Sequence, residues 1–403
     1  MAGRPTWPSR FFDAAPARGG AGAPFSQAST ESIVSAIRDA GQKKAPLRIA
    51  GRGTWLDAGR PVRADQTLSM RDDTGVVSYV PGDLTLTVRA GTTLSEIQTI
   101  TGEHDQWLPL DPYGSDDGTI GATVATASAG PLSSSFGLPR DLLLGVEFVT
   151  GRGDVVRGGG KVVKNVAGFD LSRLITGSWG TLGVVTEVTL RLYALPKVDR
   201  TFSIALGGAE KETASLLRAI IGSPLTPFAF VLLNGRAARA ISAGEGPIAL
   251  IRFGGKESMV MAEAAALAQV ASPQEVDSDI WQRVRELDDG AATVVRISSL
   301  PRQFPGVSAR ILADDAPETR MCIDPRRGVL RLAVGEADEV DANAFDTTGV
   351  DASDSVETIF EKLRPDVWGE VAPSVVSDPL SQRIKRAYDP HNILNPGILG
   401  DLL

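Results

Sequence analysis

The sequence predicts an α+β protein in which a Gly-rich first domain, residues 28–196, is followed by a second α+β domain, 197–379, and a closing segment, 380–403, that returns to the first. Three observations predict it. Short apolar runs suited to strands alternate with stretches of helical period. Between 111 and 141 the chain is unusually rich in Gly, Ser, Thr, Ala and Pro. After Pro196 strands and helix-like stretches follow one another without Gly-rich loops, and the turn-rich style resumes only in YDPHNILNPGILG (388–400).

Residues 1–27 read as an irregular arm. STESIVSAIRDAG reads as a helix capped by Ser29 or Thr30, with Ile33, Val34 and Ile37 on one face and Gly41 ending it. LRIA (47–50) is a short buried strand, and TLTVRA (85–90) alternates as a strand does. Thr93-Leu94-Ser95-Glu96 is a capping-box pattern. LLLGVEFVT and DVVRGG form a hairpin around Gly151-Arg152-Gly153. GVVTEVTLRL puts Val184, Thr186, Val188, Leu190 and Leu192 on one face and Glu187, Thr189 and Arg191 on the other, the signature of a half-buried strand. Beyond Pro196 the strands are FAFVLL (228–233), IALIRF (248–253), TVVRIS (293–298) and VLRLAV (329–334). The helices expected there are KETASLLRAI (211–220), MVMAEAAALAQVA (259–271), IWQRVREL (280–287) and SVETIFEKL (355–363).

Composition excludes several function classes. The 403 residues carry a net charge of −8, whereas a phosphate-reading nucleic-acid surface shows a basic excess. One cysteine, Cys322, permits neither an internal disulfide framework nor a cysteine-ligated iron–sulfur cluster. His104 and His391 alone do not build a zinc or iron site of several histidines. No apolar run approaches the roughly 18 residues of a membrane span, and the start of the chain has no signal-type apolar core, so a cytoplasmic protein is expected, peripheral to a membrane only through partners.

Four stretches carry the chemistry. Gly51-Arg52-Gly53-Thr54-Trp55 follows a strand directly; its small residues let amides face outward as a phosphate nest, with Arg52 and Thr54 adding a charge and a hydroxyl, although a structural turn explains such a loop as well. Asp111-Pro112-Tyr113-Gly114, running through Thr119-Ile120-Gly121-Ala122 to Gly130, is nearly all small side chains: a close backbone packing or a slot for a flat ligand, with Thr119, Thr123, Ser128 and Ser133 as hydroxyls. Phe136-Gly137 and Arg140-Asp141 precede a strand. GGGKVVKNVAGFDLSRL (158–174) sets Lys161 and Lys164 beside glycines and leads into GSWGTLGVVTE, where Gly177, Gly180 and Gly183 imply backbone that comes close to something or turns as other residues cannot.

In this order, strand–GRGTW, DPYG…GTIGATVATASAG, FGLPRDLLLGVEFV, GGKVVKNVAGFDLSRLITGSWGTLGVVTEVTLRLYALP and DPHNILNPG, the chain resembles the vanillyl-alcohol oxidase / p-cresol methylhydroxylase (PCMH-type) group of FAD-binding proteins, within it the FAD-binding E subunits of glycolate oxidase complexes. The resemblance covers about 28–196 and 380–400, and KNVAGFDLSRL…GSWGTLGVVTE is its most specific part. It implies a two-subdomain FAD-binding domain followed by an α+β cap with a largely antiparallel sheet. It implies that Gly51, Arg52, Gly53, Thr54 and Trp55 hold the FAD pyrophosphate, and that Pro112, Thr119, Ile120, Gly121 and Thr123 run along pyrophosphate and flavin. By the same resemblance Gly130, Ser133, Phe136, Gly137 and Arg140 continue the slot, Gly183, Val184 and Val185 bring backbone against the cofactor, and Asn395 returns near the flavin ring.

Two departures shape the functional expectation. Relatives that bind FAD covalently use a histidine in the pyrophosphate loop, where this chain has Thr54 and Trp55, so the FAD is expected to be non-covalent. Hydroxy-acid-oxidising relatives carry a histidine-rich cap motif, and residues 197–379 contain no histidine. Abstracting a hydroxyl proton needs a positioned base, most often His, and nothing singles out Tyr388, Lys385 or Arg296 instead. The expectation is an accessory or electron-transferring FAD subunit, partnered by a catalytic FAD subunit and an iron–sulfur subunit, of a glycolate oxidase-like complex. The alternatives are a self-sufficient FAD oxidoreductase of alcohols or 2-hydroxy acids, and an assembly subunit without active flavin.

Overall fold

The computed structural model describes residues 29–160, 170–207, 209–301, 319–335, 357–371 and 378–400, with isolated positions between 304 and 312. The N-terminal arm and the KVVKNVAGF run with Lys161 and Lys164 lie outside the described residues.

The first unit begins with the helix Thr30–Lys43, capped by Ser29, whose Oγ accepts from the Ser32 amide at 3.2 Å. Gly41 lies inside this helix rather than ending it; the stop is Lys44, in the left-handed region at φ 51°. Among the described residues nine strands follow: β1 (Leu47–Ala50), β2 (Gln66–Ser69), β3 (Val76–Val80), β4 (Thr85–Arg89), β5 (Gln106–Trp107), β6 (Leu143–Val149), β7 (Val155–Gly159), β8 (Val184–Arg191) and β9 (Tyr193–Ala194). β1 and β2 pair in parallel. β3-β4-β8-β6-β7 form an antiparallel five-stranded sheet with β8 at its centre. Central placement explains the β8 pattern: Val184, Thr186, Val188 and Leu190 are buried, while Glu187 and Thr189 are half-buried and Arg191 is exposed. The capping box at Thr93 forms as the sequence predicts, opening the helix Leu94–Gly102.

The second unit is one eight-stranded antiparallel sheet: β10 (Val198–Ala205), β11 (Ala229–Leu233), β12 (Ile248–Gly255), β13 (Gln274–Val276), β14 (Thr293–Ser298), β15 (Thr319–Asp324), β16 (Val329–Val334) and β17 (Glu357–Lys362), in the order β13-β10-β12-β11-β15-β16-β14-β17. Strand alternation gives it two apolar faces. One packs Phe202, Phe230, Ile251 and Ile323 against Leu217, Val260 and Leu267 of the helices Glu210–Gly222 and Glu257–Val270. The other packs Val231, Leu233 and Leu250 against the helix Ile280–Arg285, and receives Leu132 and Phe136 from the first unit. The stretch expected as a fourth helix, 355–363, is in fact strand β17 over its described part. Val356, Ile359, Phe360 and Leu363 have helical spacing, but pairing with β14 decides the conformation.

After the helix Pro379–Tyr388 the chain lies against the first unit: the Leu47 amide donates to the Ile393 carbonyl at 2.7 Å, and Ile393 and Leu394 join the core of Ile33, Ile37 and Val184.

Candidate functional site

A cleft runs between three chain segments of the first unit and the C-terminal return. Its walls are the end of β1 with the loop that follows it (48–58), the small-residue strip 112–128 and the turn 179–185, with Asn395 and Ile398 closing one side.

The loop after β1 is an open donor set. Among the described residues the amides of Arg52, Gly53, Thr54 and Trp55 have no hydrogen-bond acceptor, and Gly53 is left-handed at φ 82°. Consecutive free amides about a left-handed residue form the concavity that receives anions. Arg48 donates to the Leu56 carbonyl and Arg71 to the Arg52 carbonyl at 3.3 Å, so side chains hold the loop while its N–H groups stay unspent. From behind, Lys362 of β17 pairs with Asp57, and the Gly59 amide donates to the Glu361 carbonyl at 2.8 Å.

The glycines of the cleft are demanded mostly by protein, not by open space. A Cβ on Gly51 would stand 2.3 Å from Thr119 Oγ1, one on Gly121 2.7 Å from the Ala90 Cβ, and one on Gly183 2.5 Å from the Phe148 ring. Gly177 and Gly180 are left-handed at φ 79° and 69°. On the side where a Cβ would stand, the neighbour of these glycines is protein. They let three segments touch, and the contact creates the walls. Gly114 differs: at φ 96°, with nothing within 4 Å of an added Cβ, it turns the strip at the cleft edge.

Of the residues the sequence points to, Gly51, Arg52, Gly53, Thr54, Trp55, Pro112, Thr119, Gly121, Thr123, Gly183, Val184, Val185 and Asn395 line this cleft. Ile120 does not; it is fully buried beneath the strip, because its face of the helix Ile120–Thr126 packs on the sheet core. Gly130, Ser133, Phe136, Gly137 and Arg140 do not continue the wall either. The structure places them toward the seam between the two units. Ser133 Oγ donates to the Gly130 carbonyl at 2.5 Å and accepts from Arg327 Nη1 at 2.7 Å. Phe136 meets Phe228, Tyr193 and Trp107 edge-on at 4.9, 5.2 and 5.4 Å. Gly137 is left-handed beside Asp141, and Arg140 is largely exposed. The aromatic and apolar side chains of 130–140 make this segment a seam rather than a slot.

Sequence reasoning missed Trp179. It is left-handed at φ 52°, unusual for a bulky residue, and its ring lies 5.8 Å from that of Trp55 on the cleft wall. Tyr113 also lines the cleft; its hydroxyl reaches Cys322 Sγ at 3.5 Å, and the Arg331 guanidinium lies 4.2 Å over its ring. Burial holds the Tyr113 hydroxyl well above the usual phenol range, and pushes the Cys322 thiol up to about 12. Asp111, next to the cleft strip, accepts from the Leu132 amide at 3.1 Å, and burial of its carboxyl raises it to about 7 against the pull of Arg285.

This set fits FAD. Free amides beside Arg52 and Thr54 suit a pyrophosphate, and a narrow wall of backbone, Ala and Thr suits a flat ring. Residues 25–159 match the FAD binding domain family. The chain is 34% identical over 264 residues to the glycolate oxidase subunit GlcE of Escherichia coli (strain K12), covering 65% of this chain and 69% of that one. The chain belongs to the PCMH-type family of FAD-binding proteins. A second relative, the glycolate oxidase subunit GlcD of Bacillus subtilis (strain 168), is 26% identical over 91% of this chain and 86% of its own. The PCMH-type fold extends beyond the cleft: 4-ethylphenol oxidase from Gulosibacter chungangensis superposes with a TM-score of 0.65 at 16% identity, over 92% of this chain and 88% of that one. This PCMH-type protein is an FAD-linked oxidoreductase or a subunit of one. Among the described residues no helix is long and apolar enough to cross a membrane.

Proposed function

We propose that the chain is the FAD-carrying, electron-transferring subunit of a glycolate oxidase-like complex, and that substrate is oxidised on another subunit. The resemblance to GlcE supports the complex. The observation that carries the accessory role is the ionisable lining of the cleft, which among the described residues is Arg48, Arg52 and Tyr113. None of them is a base near neutral pH: guanidinium groups stay charged, and the Tyr113 phenol is held above its usual range. The two histidines stand elsewhere, His104 edge-on to Tyr79 at 5.1 Å and His391 against Gly41. Lys385 has its ammonium occupied by the Thr181 and Leu394 carbonyls and Asp389, Arg296 is paired with Glu361, and Tyr388 packs on Phe148.

When bound, FAD supplies two-electron acceptance and onward one-electron release. The chain's residues hold and orient it: the Arg52–Trp55 amides and Arg52 take the pyrophosphate, and the 112–128 strip and Gly183–Val185 enclose the rings. Thr54 and Trp55 offer no imidazole, so attachment is non-covalent. Electrons leave to an iron–sulfur partner, since the single buried Cys322 builds no cluster. The reading is tested by glycolate-dependent dye reduction. The chain alone is expected to give none, and addition of a second flavin subunit and a Cys-rich iron–sulfur subunit to restore it. Enzyme-like turnover by the chain alone would overturn it.

A further inference from the structure

We propose that Arg285, in the second unit and behind the cleft wall rather than lining it, is a positioning residue of the FAD site. It sits at the end of the helix Ile280–Arg285, only 6% exposed. Its guanidinium grips Asp116 with both arms, Nη1 to Oδ1 at 2.5 Å and Nη2 to Oδ2 at 2.9 Å, and its own carbonyl accepts from the Gly114 amide at 2.8 Å. These three bonds fall on Gly114 and Asp116, within and next to the piece of strip, Tyr113 to Ser115, that forms one wall of the cleft. The strip's far side is tied to the first unit: the Leu94 amide donates to the Gly118 carbonyl and the Ser95 amide to the Asp116 carbonyl, each at 3.1 Å. Cys322 and Arg331 of the second unit hold the Tyr113 side chain, but the hold on Gly114 and Asp116 from that side is Arg285, and the strip turns at Gly114, where an added Cβ meets nothing within 4 Å. A planar fork fixes both the distance and the plane of the carboxylate it binds, which a lysine ammonium does not. Arg285 also faces Asp111, the residue that starts the strip, so its charge balances two carboxylates at once.

The inference rests on the cleft being the FAD site, and the test separates the two. Wild-type protein, R285K, D116N and V284A are titrated with FAD at a temperature where each is folded by far-UV circular dichroism. Val284 is fully buried in the same helix and packs into the apolar core, so V284A loosens the unit without touching the strip. R285K and D116N are expected to raise the FAD Kd roughly tenfold and to change the induced circular dichroism of the flavin band, as the loss of about one good hydrogen-bonded contact would. V284A is expected to lower Tm with the FAD Kd and flavin band unchanged. Equal weakening by V284A, or wild-type Kd and flavin band in both R285K and D116N, would overturn the proposal. Absence of FAD binding by the wild-type chain would instead overturn the cleft assignment.

Discussion

Asn395 Nδ2 donates to the Trp179 carbonyl at 2.7 Å, while its Oδ1 accepts from the Ile49 amide at the same distance. One buried amide thereby links β1, the GSWG turn and the C-terminal return, and it holds Trp179 in a left-handed conformation that costs roughly 1–2 kcal/mol. Asn395→Ala leaves an amide and a carbonyl without partners, at about 1–3 kcal/mol. We expect lower urea stability together with faster FAD release, both visible in one experiment that follows flavin fluorescence during unfolding.

Gly183→Val is expected to act on the fold. The new side chain meets the Phe148 ring and the Val149 carbonyl, an overpacking worth roughly 1–3 kcal/mol or more. Thermal unfolding should drop while the folded fraction keeps its affinity for FAD. Selective loss of FAD affinity at unchanged Tm would return Gly183 to the role of cofactor-facing backbone.

Asp111 sets a pH dependence. Its folded-state pKa of about 7 lies above the ordinary 3.8, so the native protein binds a proton that the unfolded chain has released. Stability therefore falls as pH rises from about 4 to about 7 and levels off above that. Asp73 and Asp324, raised by burial to about 6, add slope in the lower part of the window. Asp111→Asn keeps an oxygen for the Leu132 amide and carries no charge. Urea unfolding at about pH 5 and about pH 8 should show a smaller loss in the variant than in wild type.

Lys385→Met leaves the Asp389 carboxylate, 0% exposed, without its ammonium partner. Removing one side of a buried pair costs about 3–5 kcal/mol. Because Lys385 also joins the Thr181 and Leu394 carbonyls, limited proteolysis should cut first within 379–400, ahead of the β8 core.

The sequence made most of one cleft wall legible because local chemistry writes it. Outward amides at 51–55 need small residues beside a strand, and the half-buried alternation of β8 needs only period two. What it hid is set by long-range contact. Arg285 and Asp116 are 169 residues apart, and Asn395 is 216 from Trp179. The stretch 355–363 has helical spacing yet becomes an edge strand because β14 has a free side. Gly130 to Arg140 read as slot because the run is small and polar, while Phe136 and Leu132, its two large side chains near the second unit, decide that it is a seam. Gly41 reads as a helix stop, but Lys44 takes the left-handed turn instead.

In the proposed role, this chain holds a flavin but does not reduce it with substrate by itself. An anaerobic visible spectrum of the purified chain, before and after glycolate, tests it directly. The oxidised flavin band is expected to persist unchanged in glycolate and to be bleached only when the partner subunits are present. Bleaching of the isolated chain by glycolate would contradict it.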